Sequence, residues 1–326
     1  IEGGNAFSFR YKSRPFLILG EMSLYLSLIS MDNAGFFKNK SINCDEEPND
    51  DAYRAVKNIE RYFALRRPLE KNKPDKICDD KDLARFGGEL GYRTLLFQSV
   101  SEKEKPFYKE QAKKMMGFIR LAKERIAKET KTPIDNIIFF PQKYFHIDLD
   151  TFVTPSGEVV LHDDGHAITL LNHLLNRQSL TPDERALFED YLKTAIENGI
   201  RFKNAMAARI EALQKMNIPF HLIPASFVSE KYSSHLNYCN GVFLRQAKVV
   251  QIPIARIRQP TDNFIYLTTG PTFKEELLVH ERIKKLFENL FPRFIFREIP
   301  NLSEFISQMH GGFRCLSFES IPASEI

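Results

Sequence analysis

His146-Ile147-Asp148-Leu149-Asp150-Thr151-Phe152-Val153-Thr154-Pro155-Ser156-Gly157-Glu158-Val159-Val160-Leu161 is the stretch that decides how this chain is read. Over His146 to Val153 polar and apolar residues alternate, the period of a half-buried strand. Thr154-Pro155-Ser156-Gly157 has the composition of a turn, and Glu158 to Leu161 that of a return strand, so a β-hairpin is expected. Alternation puts His146, Asp148 and Asp150 on one face. Such a face is either the exposed side of an edge strand or a site, because an uncompensated buried carboxylate is costly. Asp148-Leu149-Asp150 is also an Asp-x-Asp pair of the kind that holds Mg²⁺ or Mn²⁺ in nucleotide-sugar transferases.

Upstream of the hairpin, Ile137 to Phe140 predicts a strand. Downstream, Ala186, Leu187, Tyr191, Leu192, Ala195 and Ile196 mark a helix from about Asp183, continued by Met206, Ile210 and Leu213 with a break expected near Gly199. Then follow a strand at Phe220 to Ile223, a hairpin of His235 to Leu244 with Lys248 to Ile252, and a helix at Phe273 to Leu290. A strand at Phe294 to Ile299, a short helix at Leu302 to Gln308 and a last strand at Phe313 to Phe318 complete the series. The order from Ile137 is a repeated β-β-α-β. Near the start, Ala6 to Arg10 and Arg14 to Leu19 read as strands and Leu24 to Ile29 as strand or short helix, closed by the turn Asp32-Asn33-Ala34-Gly35.

Residues 38–135 differ in texture. Pro48-Asn49-Asp50-Asp51 suits a helix start, and Phe107, Ala112, Met115, Ile119, Ala122 and Ile126 recur at helical spacing among Lys and Glu. The expected organisation is therefore strands over 1–37, a helical insertion over 38–135, and further β-β-α-β elements over 136–326.

The chain has 326 residues, 43% hydrophobic and 27% charged, which is ordinary globular usage. A net charge of +4 is too balanced to argue for nucleic acid or an anionic membrane. No apolar run approaches the ~18 residues of a membrane span. Cys44, Cys78, Cys239 and Cys315 are too widely spaced for a disulfide framework, which favours a reducing cytoplasm.

Cys315 follows His310-Gly311-Gly312-Phe313-Arg314. Paired glycines permit close backbone approach, and the Arg314 cation favours a thiolate beside it, as a nucleophile would need. A lone cysteine is otherwise packing. Asn237-Tyr238-Cys239-Asn240-Gly241 carries an Asn-Gly hairpin signal. His162-Asp163-Asp164-Gly165-His166 falls on a turn after a strand and lacks a further ligand pattern for zinc, so no metal site is assigned to it. Arg66-Arg67 and Lys113-Lys114 belong to solvated helix faces.

Taken in order, four segments resemble the guanidino-group-modifying, or pentein, superfamily, closest in motif to agmatine deiminase and peptidylarginine deiminase. Glu2-Gly3-Gly4-Asn5 resembles its Glu-Gly-Gly-Asp/Asn segment, and His146-Ile147-Asp148 with Phe152-Val153 its His-x-Asp strand. Leu236-Asn237-Tyr238 with Asn240-Gly241 is similar to the agmatine deiminase hairpin, and Gly311-Gly312-Phe313-Arg314-Cys315-Leu316-Ser317 to the closing Gly-Gly-x-His-Cys-x-Thr segment, with Arg314 in place of the histidine. The likeness covers residues 1–37 and about 137–319. It implies a pentein-type α/β propeller of ββαβ units, N-terminally incomplete because the sequence opens on the Glu-Gly-Gly segment, and carrying a helical insertion.

By that resemblance Cys315 is the nucleophile, His146 the general acid/base, and Glu2 the carboxylate that orients His146. Asp148, Asn237 and Arg314 bind substrate, with Asp148 as the guanidinium clamp. No cofactor and no metal are implied. The expected partner is a guanidine-bearing small molecule, such as agmatine or arginine, or the arginine side chain of a protein, which would suit a secreted effector. Two rival readings stand beside it: a non-catalytic pentein-like binding module, and a metal-dependent transferase using Asp148 and Asp150.

Overall fold

The computed structural model describes residues 6–21, 23–25, 28, 46–60, 100–143, 147–154, 156–177, 179–226, 242–244, 250–252, 255–257, 263–267, 277–292 and 294–298. They form a mixed α/β protein of helices and small mixed sheets, with no closed barrel among the described residues. Among the described residues one pattern occurs three times. Two antiparallel strands are followed by a helical crossover and a third strand parallel to the second, and the second strand is always central. The chain divides into two compact units, Ile1–Ile147 with Asn204–Ala212, and Asp148–Lys203 with Leu213–Ile326.

In the first unit β1 (Ala6–Tyr11) pairs antiparallel with β2 (Arg14–Gly20), and β2 pairs parallel with β3 (Ile137–Phe140). The β1–β2 turn is only Lys12-Ser13, both in the left-handed region at φ 49° and 65°. Short hairpin loops take that backbone because its twist matches the strands. Phe16 to Gly20 is buried throughout, as a central strand covered on both faces must be. Each such Leu, Ile or Phe contributes roughly 1.5–3 kcal/mol by leaving water.

Parallel strands require a crossover of a dozen residues or more. Residues between Gly20 and Ile137 make it, through helical residues 50–60 and α1 (Lys105–Thr130). Pro106 sits at the start of α1, and Lys131 ends it at φ 54°. Ala112 and Ala122 are buried, with Met115, Ile119 and Ile126 packed beside the buried clusters. Phe107 departs from the expected face and is 75% exposed, held edge-on to Tyr108. Ile137 to Phe140, expected to open the repeat, instead closes the first unit. Its pairing with β2 is set across a connection that local periodicity cannot reveal.

At the end of β2 the buried Glu21 accepts from Tyr25 Oη at 3.0 Å and from Arg54 Nη2 at 2.7 Å. Burial raises the Glu21 pKa, against the lowering effect of Arg54. Before α1, Glu104 accepts from Lys57 Nζ at 2.8 Å and from the Ser101 N–H and hydroxyl at 2.9 and 2.8 Å. The Lys57 bond, followed by those from Ser101, depresses the Glu104 pKa to about 2. Because the folded pKa is depressed, the anchoring of turn 101–104 is complete above the ordinary carboxylate value and is lost as pH falls toward about 2. A carbon-detected NMR titration is expected to place the Glu104 midpoint near 2, and Lys57→Met to move it up toward the ordinary 4.5. A wild-type midpoint already at the ordinary value would remove the Lys57 account.

In the second unit β4 (Thr151–Val153) pairs antiparallel with β5 (Val159–Asp163), which pairs parallel with β6 (Phe220–Pro224). The expected hairpin is present. Thr154 N–H donates to Glu158 O at 2.8 Å, Gly157 N–H donates to Thr154 O at 2.9 Å, and Gly157 takes φ 83°. The crossover contains two helices, α2 (Asp164–Leu175) and α3 (Pro182–Lys215). Thr181 and Glu184 form a reciprocal capping box at the start of α3. The break expected near Gly199 does not occur; a Cβ there would lie in ordinary contact with Ile168 and Asp164 at 3.6 and 3.7 Å.

The third sheet has the order β11-β10-β7: β7 (Val242–Leu244), β10 (Asn263–Leu267) and β11 (Phe294–Glu298). α4 (Leu277–Leu290) connects β10 to β11, and Phe287 of α4 stacks on Phe152 at 6.0 Å. The hairpin expected from His235 to Ile252 is not the pairing found. β7 pairs with β10, while β8 (Val250–Ile252) pairs with β9 (Ala255–Ile257). The expected helix at Leu302 to Gln308 and strand at Phe313 to Phe318 lie outside the described residues. Among the described residues no helix is long and apolar enough to cross a membrane.

Candidate functional site

Of the residues singled out from the sequence, Asp148 and Asp150 can be placed. Glu2, His146, Asn237, Arg314 and Cys315 lie outside the described residues. The expected strand through His146 to Val153 is shorter than its alternation suggested: Ile147–Leu149 is a 3-10 turn, and β4 begins at Thr151. The shared pleated face of Asp148 and Asp150 therefore does not exist as such. The exposed-edge reading fails too, since Asp148 is 1% and Asp150 0% exposed. A tight helical turn admits the same short alternation as a strand, and burial of the aspartates favours leaving the extended pleat.

Antiparallel pairing of β4 with β5 brings the start of one against the end of the other. The His162 N–H donates to Asp150 O at 2.9 Å, and Thr151 Oγ1 donates to Asp150 Oδ1 at 3.0 Å, a buried bond. His162 and Asp164 are themselves 2% and 5% exposed. Two buried aspartates, a buried histidine and a further buried aspartate thus belong to one end of this sheet, where β5 and β6 present their carboxyl termini, a place where α/β folds bind ligands.

Local chemistry builds that end. Asp163 caps α2, its Oδ1 accepting from the His166 N–H at 2.8 Å. An added Cβ at Gly165 would come within 2.9 Å of Asp163 Oδ1, so a larger residue there would displace the capping carboxylate. From α3, Asn198 Nδ2 donates to Ser226 Oγ at 3.1 Å, just past β6. From the sequence His162 and Asp164 are weighed only as zinc ligands on an expected turn, whereas His162 lies in β5 and Asp164 opens α2. The spacing of Ala167, Leu171 and Leu174 behind an Asp cap was the available signal for a helix. Among the described residues no group of three or more His, Cys, Asp or Glu side chains is placed to hold a metal ion.

The three ββαβ repeats order the motif segments along the sequence. Glu2-Gly3-Gly4-Asn5 ends where β1 begins, His146-Ile147-Asp148 precedes β4, and Asn237 to Gly241 ends where β7 begins. Each segment therefore leads into the first strand of a ββαβ unit. Gly311 to Cys315 comes after the third ββαβ repeat ends at Glu298. No protein-family model, no curated protein and no solved structure matches the chain.

Proposed function

We propose that this protein modifies a guanidinium group through a cysteine thiolate, as a deiminase of the pentein type, its ββαβ units being blades of a propeller. The observation that carries the reading is the equivalence just described. Three segments chosen for their chemistry each precede, along the sequence, the first strand of a successive ββαβ repeat. Asp148 is buried, 1% exposed, as the reading requires of a carboxylate that holds a guanidinium away from water.

In this reading the Asp148 carboxylate holds the N–H groups of the guanidinium and preserves its positive charge, so that its carbon stays electrophilic. Cys315 attacks that carbon as the thiolate, forming a C–S bond, while Arg314 favours the ionised sulfur. The C–N bond to the departing nitrogen breaks, and His146 delivers the proton that lets it leave as ammonia. Glu2 orients the imidazole. The same imidazole then takes a proton from water, whose oxygen attacks the thiouronium carbon. The C–S bond breaks, and the thiolate and a ureido product are released. Asn237 is assigned to holding the substrate.

Ammonia and ureido product should form together, in equal amounts, from agmatine, arginine or an arginine-containing peptide. Comparison of the three separates a small-molecule substrate from a protein one. Absence of both products from every guanidine offered would overturn the proposal in favour of a non-catalytic module.

A further inference from the structure

Five polar side chains meet where the central strand of the first unit ends. Glu21 directly follows β2 and Tyr25 stands four residues on, while Asp51, Arg54 and Asn58 belong to the helical residues 50–60. The Glu21 side chain is 8% exposed, and its two oxygens have different partners. Oε1 accepts from Arg54 Nη2 at 2.7 Å and Oε2 from Tyr25 Oη at 3.0 Å. The same Arg54 nitrogen donates to Asp51 Oδ1 at 2.6 Å, and the Asp51 side chain is 69% exposed. One guanidinium is therefore shared between a carboxylate inside the protein and a carboxylate at its surface.

Asn58, which is buried, hydrogen-bonds the Tyr25 hydroxyl. Its Oδ1 has no partner among the described residues, so the amide NH2 makes that bond. With Glu21 ionised, donation runs from Asn58 to Tyr25 and from Tyr25 to Glu21. A side-chain amide carries both donor and acceptor, and a hydroxyl hydrogen can turn. Half a turn of the Asn58 amide and rotation of the Tyr25 hydroxyl let the chain run the other way, from a protonated Glu21 through Tyr25 to Asn58 Oδ1. The number of hydrogen bonds in the chain is the same in both states, so a buried carboxyl can change its protonation without losing them. Arg54 keeps Asp51 when Glu21 is neutral, so its charge is not left alone.

We infer that Glu21 is a proton-sensing group: when it takes up a proton the Asn58–Tyr25 chain reverses, Arg54 passes to Asp51, and the helix over 50–60 is held more firmly against the end of β2. Burial raises the Glu21 pKa by more than Arg54 lowers it. The folded carboxyl thus holds its proton above the pH at which an exposed one has lost it, so the docked arrangement gains stability as pH falls through the Glu21 midpoint and loses it as pH rises. Glu21 feels the charges of Arg54 and Asp51 and the hydroxyl of Tyr25, and α1 contributes Lys123, which acts on Asp51. The other polar links of residues 50–60, from Lys57 to Glu104, Asp50 to Lys105 and Glu60 to Tyr108, run to α1 and the turn before it. The device stands apart from the guanidine chemistry, and its test uses no substrate.

Carbon-detected NMR follows the Glu21 carboxyl, assigned through the backbone, together with the guanidinium resonance of Arg54. The Glu21 midpoint is expected above the ordinary 4.5, with the Arg54 resonance moving at the same midpoint. Asp51→Asn removes both a negative charge that favours the proton and the outer partner of Arg54, so it should lower the midpoint. Protection of the 52–60 amides against hydrogen exchange should rise as pH falls, by about tenfold for each pH unit between the Glu21 midpoint and 4.5. Glu21→Gln, neutral at every pH, should abolish that rise. A Glu21 midpoint at or below 4.5, an Arg54 resonance that does not follow it, or a midpoint unmoved or raised in Asp51→Asn overturns the inference. An equal rise in protection in Glu21→Gln does the same, and Asp51→Asn, a change at an exposed position, decides the matter if Glu21→Gln does not fold.

Discussion

Cys315→Ala is expected to abolish turnover of any guanidine the wild type accepts, by about 10⁴-fold or more, because nothing else on the chain is assigned to form the covalent intermediate. The expectation is specific to one of four cysteines. Alanine at Cys44, Cys78 or Cys239 is expected to leave turnover within about twofold, as ordinary substitutions away from a site do. The thermal midpoint of Cys315→Ala should match that of the wild type, which separates lost chemistry from lost fold. Ammonia and ureido product measured side by side provide the check. Activity retained by Cys315→Ala would remove the nucleophile assignment outright.

The second large effect is expected at Asp148. Asparagine has the same shape and loses the charge, so Asp148→Asn should lower kcat/KM by about 10²- to 10³-fold, the usual consequence of deleting one group that stabilises charge in a closed site. Asp148 is 1% exposed, and asparagine keeps its size and shape, so the variant should stay folded with a melting temperature close to that of the wild type. A purely structural aspartate predicts the reverse, a lowered midpoint with activity falling only in proportion to the unfolded fraction. Calorimetry and steady-state kinetics on the same preparation distinguish the two. Addition of Mg²⁺ or Mn²⁺ is expected to change neither, whereas a transferase built on Asp148 and Asp150 would depend on it.

What could be read from the residues alone was what is locally encoded. The β1 and β2 strands and the turn from Thr154 to Gly157 follow from short-range pattern and turn chemistry. α3 follows from its apolar spacing, and its capping box explains why it starts at Pro182. Three things were not legible. The parallel pairing of β2 with β3 joins segments separated by the whole helical crossover, so Ile137 to Phe140 could be recognised as a strand while its partner could not. The 3-10 turn at Ile147–Leu149 shares its alternation with a strand, and only the burial of Asp148 and Asp150 separates the two. Arg209 falls on the same helical stripe as the buried Phe202, Ala205 and Leu213, but a basic residue at such a position reads as solvated unless its partner, the Pro141 carbonyl, is known.

The regular alternation of hairpin, crossover and parallel strand gives the motif segments a common place in the topology even though they share little sequence. Equivalent strand entrances repeated along a chain can present different side chains to one ligand without any of the units changing its packing.

The most direct measurement is the intact mass of the protein quenched in acid during turnover, followed by peptide mapping. With a turned-over guanidine present, the account predicts an amidino adduct on the peptide containing Cys315, which decays as ureido product accumulates and is missing in Cys315→Ala. Product formation with the adduct on another cysteine, or with none trapped on Cys315 while turnover proceeds in the His146→Gln variant at the wild-type rate, would contradict it.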